Sequence, residues 1–216
     1  MAIMSHRVRV DPGKVIMVTT CGVILFFDLS GLLNRGASGT AGVLRTAGTV
    51  LVLAFYALAI WCFLRRGPAV ATSGSVSAHA AALIATWLPF AVPLVSGPPP
   101  PEGRQALADV LVVCGTAWAV WSLRFLDRNV SVLAQARDVV DRGPYRWVRH
   151  PLYVGEIVSS LGVAVAANSY PAFGLWLALC GLQAYRALRE EQLLLRALPA
   201  YHSYRSRTAA LLPGLF

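Results

Sequence analysis

Four apolar runs, each long enough to cross a bilayer, decide what this chain can fold into. They cover Val15–Leu33, Thr46–Leu64, Ala78–Val95 and Ala106–Leu123, and about 20 residues of helix cross a ~30 Å hydrocarbon layer. Inside such a layer no water satisfies a backbone N–H or C=O, so runs of this length must be helical. The first is too long for the core of a signal peptide and lacks a convincing cleavage site, so it is expected to stay as a mature helix. Asp28 interrupts it near its far end, where a carboxylate should face protein or water. Pro89 and Pro93 should kink the far half of the third run. Asn34 to Gly42 reads as a short Gly/Ser turn, and Arg65-Arg66-Gly67-Pro68 stops the second run. Gly97 to Gly103 holds four consecutive prolines, a stiff external connector in polyproline geometry.

Two further apolar stretches, Leu152–Ala167 and Ala172–Leu188, are short or interrupted, with Asn168-Ser169-Tyr170-Pro171 between them. They predict a helical hairpin, tilted or incompletely spanning. Gly155, Ser159 and Gly162 recur at helical spacing and would let neighbouring helices approach closely. Trp118, Trp121 and Phe125 near the end of the fourth run, and Tyr170, read as interfacial anchors. The expected architecture is all-α and polytopic: four spanning helices plus a C-terminal hairpin, about six membrane segments, with a cytoplasmic cofactor-binding region. The expected division is 1–126 for the N-terminal membrane helices and 127–216 for a C-terminal functional region.

Composition supports the membrane and narrows the partners. The chain is 56% hydrophobic and 13% charged, against about 25% charged in an average soluble domain. A net charge of +9 would suggest nucleic acid in a soluble protein. Here the arginines border apolar runs, so they face a membrane surface and a nucleic-acid partner is excluded. With the N-terminus cytoplasmic, the basic residues near 7–14, 65–66, 124–149 and 186–207 share one side, and only Arg35, Arg45 and Arg104 lie on the other. The positive-inside rule makes the rich side cytoplasmic. An inner-membrane protein with both termini in the cytoplasm follows as the expectation. Cys21, Cys62, Cys114 and Cys180 each lie in an apolar run without C-x-x-C spacing, so neither a metal site nor a disulfide framework is expected, and they should be small buried hydrophobes.

Chemistry concentrates in two blocks of the C-terminal region. Gly143 to Gly155 reads Gly-Pro-Tyr-Arg-Trp-Val-Arg-His-Pro-Leu-Tyr-Val-Gly. Gly143-Pro144 is a turn signal and Pro151 biases His150 towards extended backbone, so helices should stop before Gly143 and resume after His150. The second block holds Arg186, the Glu190-Glu191 pair, Tyr201-x-x-Tyr204, Arg207 and Pro213-Gly214. Read from residue types alone, each has a plain alternative. His150 could be a structural hydrogen-bonder, the glutamates a solvated face pairing with arginines, the tyrosines an interfacial belt, and Arg186 a snorkelling cation.

Together the blocks resemble the isoprenylcysteine carboxyl methyltransferase family and its phospholipid methyltransferase relatives. The resemblance runs from about Arg128 to Phe216. It implies S-adenosylmethionine as methyl donor, membrane lipids as surroundings, a lipophilic or prenylated acceptor, carboxylate O-methylation, and no metal. The cofactor-binding residues it implies are Tyr145, Val148, Arg149, His150, Pro151, Tyr153, Gly155, Glu190, Glu191, Tyr201, Tyr204 and Arg207. Arg186 becomes the acceptor-side candidate. Such a donor needs carboxylates for its amino group and ribose, aromatic faces for adenine, and cationic or amide donors for its carboxylate. No G-x-G-x-x-G follows a strand, so a Rossmann-type site is absent.

Two departures from the family pattern stand out. Glu156 follows Gly155 directly, where an apolar or aromatic residue is usual, and about one residue is missing between Glu191 and Tyr201, with Pro199 near the usual glycine. A buried Glu156 could serve as base for an amine or hydroxyl acceptor, whereas a carboxylate acceptor needs none. It could equally pair with an arginine such as Arg124. Two other functions compete with methyl transfer: a membrane reductase of the sterol-reductase type using a nicotinamide cofactor, and a non-enzymatic transporter or structural membrane protein. Transporters often show two similar halves, whereas the polar blocks here are confined to one.

Overall fold

The computed structural model describes residues 12–33, 39–67, 69–131, 135–136 and 138–211. Arg7 and Arg9, Arg35 in the first turn, Pro68, and Pro213-Gly214 lie outside the described residues. The first two apolar runs form α1 (Pro12–Leu33) and α2 (Gly39–Arg65). The third forms α3 (Val76–Trp87), followed by a 3₁₀ segment over Leu88–Val95. The expected kink is thus a change of helix type: Pro89 opens the tighter segment and Pro93 lies within it, each removing one backbone donor. The fourth run forms α4 (Glu102–Leu126).

The hairpin is longer than its hydropathy suggested. It consists of α5 (Pro151–Ala167) and α6 (Tyr170–Ala197), and α6 carries the second block well past Leu188. The turn needs two residues. Asn168 takes the left-handed conformation (φ 48°, ψ 44°), and the Ser169 hydroxyl caps α6 by accepting from the Ala172 N–H. The hairpin tip is tied to the proline connector: Gly97 N donates to Ala167 O at 2.8 Å, the Asn168 amide to Pro98 O at 3.1 Å, and Arg104 to Asn168 Oδ1. The connector and the tip therefore share one end of the bundle. At the other end Lys14 Nζ donates to Leu64 O at 2.7 Å.

Two features had no signal in the sequence. β1 (Ala71–Thr72) pairs antiparallel with β2 (Gln135–Ala136), tying the α2–α3 loop to the segment after α4. A short α7 (Ala200–Arg205) presents Tyr201 and Tyr204, both buried. By length and composition, three helical stretches among the described residues can cross a membrane: Gly42–Arg65, Val76–Val95 and Glu102–Asn129. Within α1 the apolar stretch counted among the described residues is Met17–Ser30, which is shorter, as is Pro151–Ala167. Among the described residues the protein is thus a bundle of helices with one two-stranded pairing and three apolar stretches of spanning length, where four spans and a hairpin were expected.

The core is split by depth. Cys21, Ala59, Cys62, Phe63, Leu123 and Val130 join α1, α2 and α4, while Val92, Ala164, Ala167 and Ala172 close the connector end. Phe26, Trp61, Leu94 and Leu177 point outward, which is normal where the solvent is lipid. Cys114 is exposed and Cys180 half-buried, so only Cys21 and Cys62 behave as the buried hydrophobes expected of all four. Trp121 packs edge to face with both Trp118 and Phe125, Trp147 joins Trp121, and Trp118 Nε1 donates to Pro151 O at 2.8 Å. These rings brace the start of α5 rather than serving only as lipid anchors.

Candidate functional site

The cleft follows from how the first block is bent. Gly143 sits at φ +59°, and a Cβ there would lie 2.5 Å from the Phe125 ring, so only glycine fits between this turn and α4. Residues 143–146 make one 3₁₀ turn, Trp147 keeps helical angles, and the chain passes through His150 (φ −123°, ψ 55°), which is not extended as expected, into Pro151, the first residue of α5. This connecting piece pairs with the segment after α7: Arg149 N donates to Ala209 O at 2.8 Å, His150 N to Ala210 O at 3.1 Å, and Ala209 N to Trp147 O at 3.2 Å. The two blocks, some fifty residues apart in sequence, are thereby joined through backbone.

Between them opens a cleft of about 760 Å³, counting the open space at its mouth. Of the expected residues, Tyr145, Arg149, His150, Tyr153, Glu190, Tyr201 and Tyr204 line it. Glu191 sits behind this wall and organises it. Its Oε1 accepts from Arg149 Nε at 2.6 Å and lies 3.3 Å from His150 Nε2, while its Oε2 lies 3.4 Å from Arg205 Nε. Arg149 Nη1 also donates to the carbonyls of Arg205 and Thr208. Arg149 is therefore largely committed to the framework instead of being a free donor for a ligand.

Glu190 faces the cleft. It accepts from the Tyr153 hydroxyl and lies 3.8 Å from His150 Nδ1, and the His150 and Tyr153 rings stack at 5.4 Å with 5° between planes. The Tyr204 hydroxyl donates to Tyr145 O at 2.8 Å. The Tyr201 hydroxyl is buried and finds no hydrogen-bond partner among the described residues. A buried unpaired donor at a cleft wall is the kind of group a ligand satisfies.

Electrostatics sort these groups. Burial pushes the Glu191 carboxyl up, but hydrogen bonds from His150 and Arg149 together with their charges overturn that and hold it at about 2. Glu191 is thus an anion at any physiological pH. Burial raises the phenols of Tyr145, Tyr201 and Tyr204, keeping them as neutral donors.

The remaining expected residues do other work. Val148 is buried in the bridge to Ala209, and Pro151 offers its carbonyl to Trp118. Gly155 faces α4, where an added Cβ would lie 2.8 Å from Ala119 N and from Gly115 O. Arg207 is exposed and lies 3.6 Å from Asp141. Glu156 and Arg186 are off the cleft, inside the hairpin. Gln183 bridges them, donating to Glu156 Oε2 at 2.6 Å and accepting from Arg186 Nη1 at 3.0 Å. The partner of Glu156 is thus Gln183, and through it Arg186, instead of Arg124. The Arg186 guanidinium covers the Tyr153 ring at 4.7 Å.

Residues that motif reading missed form the opposite wall: Leu126, Asn129, Ser131, Gln135, Asp138, Val139 and Val140. The one usable sign was the apolar pair Val139-Val140 in an otherwise polar stretch. Gln183 was missed because a glutamine in an apolar helix has no spacing signature.

The phospholipid methyltransferase family model matches residues 104–199, from the first turn of α4 to the start of α7. Among curated proteins, the nickel-cobalt-cadmium resistance protein NccN of Alcaligenes xylosoxydans xylosoxydans is 31% identical over 106 residues, 48% of this chain and 47% of that protein. The chain thus spans about half the length of that relative. Among solved structures, the eukaryotic intramembrane Ras methyltransferase, isoprenylcysteine carboxyl methyltransferase, superposes with a TM-score of 0.50 at 14% identity, covering 94% of each chain. These findings bear out the resemblance read in the two blocks. The chain is similar to integral membrane methyltransferases, has the fold of the isoprenylcysteine carboxyl methyltransferase, and is an integral membrane protein.

Proposed function

We propose that this protein transfers a methyl group from S-adenosylmethionine to a lipid-like or isoprenylated acceptor at the cytoplasmic membrane face. The observation that carries the reading is the cleft itself. It brings together, at one end of a membrane bundle, the carboxylates of Glu190 and Asp138, an aromatic wall and an orphaned buried hydroxyl. These suit the donor: Glu190 for an amino group or ribose hydroxyls, Tyr145, Tyr201 and Tyr204 for adenine, and His150 for a carboxylate. When bound, S-adenosylmethionine supplies a methyl already activated by its sulfonium, so the protein must chiefly position the acceptor and exclude water. Tyr153 and His150, stacked against each other, form the wall nearest the hairpin. The resemblance favours a carboxylate acceptor, as in isoprenylcysteine methylation.

Calorimetry on detergent-purified protein should show saturable binding of S-adenosylmethionine and S-adenosylhomocysteine, and no oxidation of NADPH by the same sample. Absence of binding together with NADPH oxidation would replace this reading with the reductase. The orientation is part of the proposal. Both termini are cytoplasmic in the inner membrane, with the proline connector and hairpin tip outside. A membrane-impermeant maleimide should therefore label a Glu102→Cys variant in intact cells. Labelling only after permeabilisation would invert the topology.

A further inference from the structure

A second pocket lies at the connector end of the bundle, between α1, α2 and α4, and shares no lining residue with the cleft. It measures about 430 Å³, counting the open space at its mouth, and Asp28, Arg45, Thr49 and Asp109 line it among apolar side chains. Asp109 decides its character. This side chain is 10% exposed and stands in a helix of spanning length, where a carboxylate is costly unless its oxygens are satisfied. Oδ1 accepts from Gln105 Nε2 at 2.8 Å, but Oδ2 is buried and finds no hydrogen-bond donor among the described residues. The Arg45 guanidinium stops 3.9 Å from Oδ2, beyond hydrogen-bond reach, and its side chain is 52% exposed. The Thr49 hydroxyl is turned to its own helix, donating to Arg45 O at 3.1 Å. The pocket therefore presents an unsatisfied anionic acceptor beside a half-exposed cation.

We infer that this pocket binds the head group of a zwitterionic phospholipid, its primary ammonium donating to Asp109 Oδ2 and its phosphate resting on Arg45. Charge and depth both point there. With Asp28 the pocket holds two carboxylates against one guanidinium. A wholly anionic head group meets net repulsion, and a simple amine leaves Arg45 unanswered. An ammonium next to a phosphate answers both. A quaternary ammonium carries the same charge but has no N–H to give Oδ2. For a metal ion, two carboxylates beside a guanidinium are a poor ligand set. Depth agrees. Glu102–Asn129 has 28 residues, about 42 Å of helix against a ~30 Å hydrocarbon layer. Asp109, roughly 10 Å along it, sits close to the level where head groups meet acyl chains. Val43 and Val50 on α2 and Leu107 and Val110 on α4 are exposed on the flanks, which gives the acyl chains an apolar surface. Asp109 and the cleft residue Leu126 are separated by roughly 25 Å along α4. The lipid held here is thus a ligand of the leaflet at the connector end, not the methyl acceptor, and its binding does not depend on the methyl-transfer reading.

The test uses the full chain in nonionic detergent and two single-tailed lipids with the same acyl chain, lysophosphatidylethanolamine and lysophosphatidylglycerol, with binding read by native mass spectrometry. The wild type should hold the ethanolamine lipid at least about tenfold more tightly, the effect of one hydrogen bond to a charged group. Asp109→Asn keeps the shape and can still accept from Gln105. It should cut the preference to about twofold or less. Arg45→Gln alters a half-exposed side chain and leaves the core intact, and it should weaken both lipids by about tenfold through the lost phosphate contact. Free O-phosphoethanolamine, with no chain to bury, should bind at least about a hundredfold more weakly than the ethanolamine lipid. Equal binding of the two lipids by the wild type overturns the inference. So does a preference that survives in Asp109→Asn, or unchanged affinity for both lipids in Arg45→Gln. Free O-phosphoethanolamine binding as tightly as the lipid would overturn the membrane assignment and make the pocket a site for a soluble ligand.

Discussion

Replacing Glu191 with alanine should both unfold the cleft wall and abolish useful donor binding. Its carboxylate is the common acceptor for Arg149, His150 and Arg205. The Arg149 side chain is only 6% exposed, so the substitution would strand a guanidinium in a dry site. Removing one partner of a buried pair costs about 3–5 kcal/mol, more than the pair is worth, because the survivor stays desolvated. Arg149 also holds the carbonyls of Arg205 and Thr208, so its displacement loosens the join between the two blocks. His150 loses its anchor with it. Affinity for S-adenosylmethionine should fall by about ten- to hundredfold or more, the loss expected for hydrogen bonds to charged groups. Glu191→Gln, which keeps the shape and one acceptor oxygen, should lose much less. Thermal unfolding and calorimetry in detergent decide it: an alanine variant that melts and binds like the wild type rules out Glu191 as the organiser.

The same residue sets an acid limit. Its folded pKa of about 2 lies below the ordinary value of 4.5. A depressed carboxylate contributes stability that is fully present above its unfolded pKa and is lost as pH falls through the folded one. The Glu191 contribution should therefore be constant from pH 7 down to about 5 and disappear between about 4.5 and 2. Glu191→Gln should flatten that acid limb of the melting curve; an unchanged limb would assign it to other carboxylates.

What the sequence made legible follows from where each signal is physically strong. Hydropathy over eighteen or more residues cannot be satisfied except by helices in lipid, so Thr46–Leu64 and Ala106–Leu123 fell inside α2 and α4. The Arg-His-Pro step was legible only in part: α5 does begin at Pro151, but His150 sits at φ −123°, ψ 55° and not in the extended backbone that proline favours before it. Side-chain partners were much less readable. Glu190 and Glu191 look alike as a dipeptide, yet one lines the cleft and the other faces Arg149, because neighbours on a helix point about 100° apart and only the bundle decides which direction is inward. Gly155 stood inside the signature as if it touched the cofactor, while its actual neighbour is the backbone of α4. The β1–β2 pairing was illegible because two-residue strands carry no periodicity.

That glycine contact points to the second large effect, expected for Gly115→Leu. At the crossing of α4 and α5, a Cβ on Gly115 would lie 2.3 Å from Ser159 N and 2.9 Å from Gly155 O. A Cβ on Gly162 would lie 2.6 Å from Ala108 O. These are backbone atoms, which no rotamer change can move aside, so the two helices would have to separate along their length. Separation forfeits the dispersion contacts that drive association where lipid is as apolar as leucine. It would also break the Thr116–Ser159 hydroxyl bond of 2.9 Å across the same seam. Overpacking typically costs about 1–3 kcal/mol, and a whole leucine against backbone should exceed that range. The loss reaches the cleft because α5 starts at Pro151, whose carbonyl is held by Trp118 of α4. Moving α5 off α4 shifts His150 and Tyr153 with it. Gly115→Leu should therefore lower the melting temperature sharply and lose S-adenosylhomocysteine binding, with Gly115→Ala intermediate. Gly181→Ala, with open space around its Cβ position, should leave both unchanged. Equal melting and binding in Gly115→Leu and Gly181→Ala would mean that the α4–α5 seam does not set the position of the cleft.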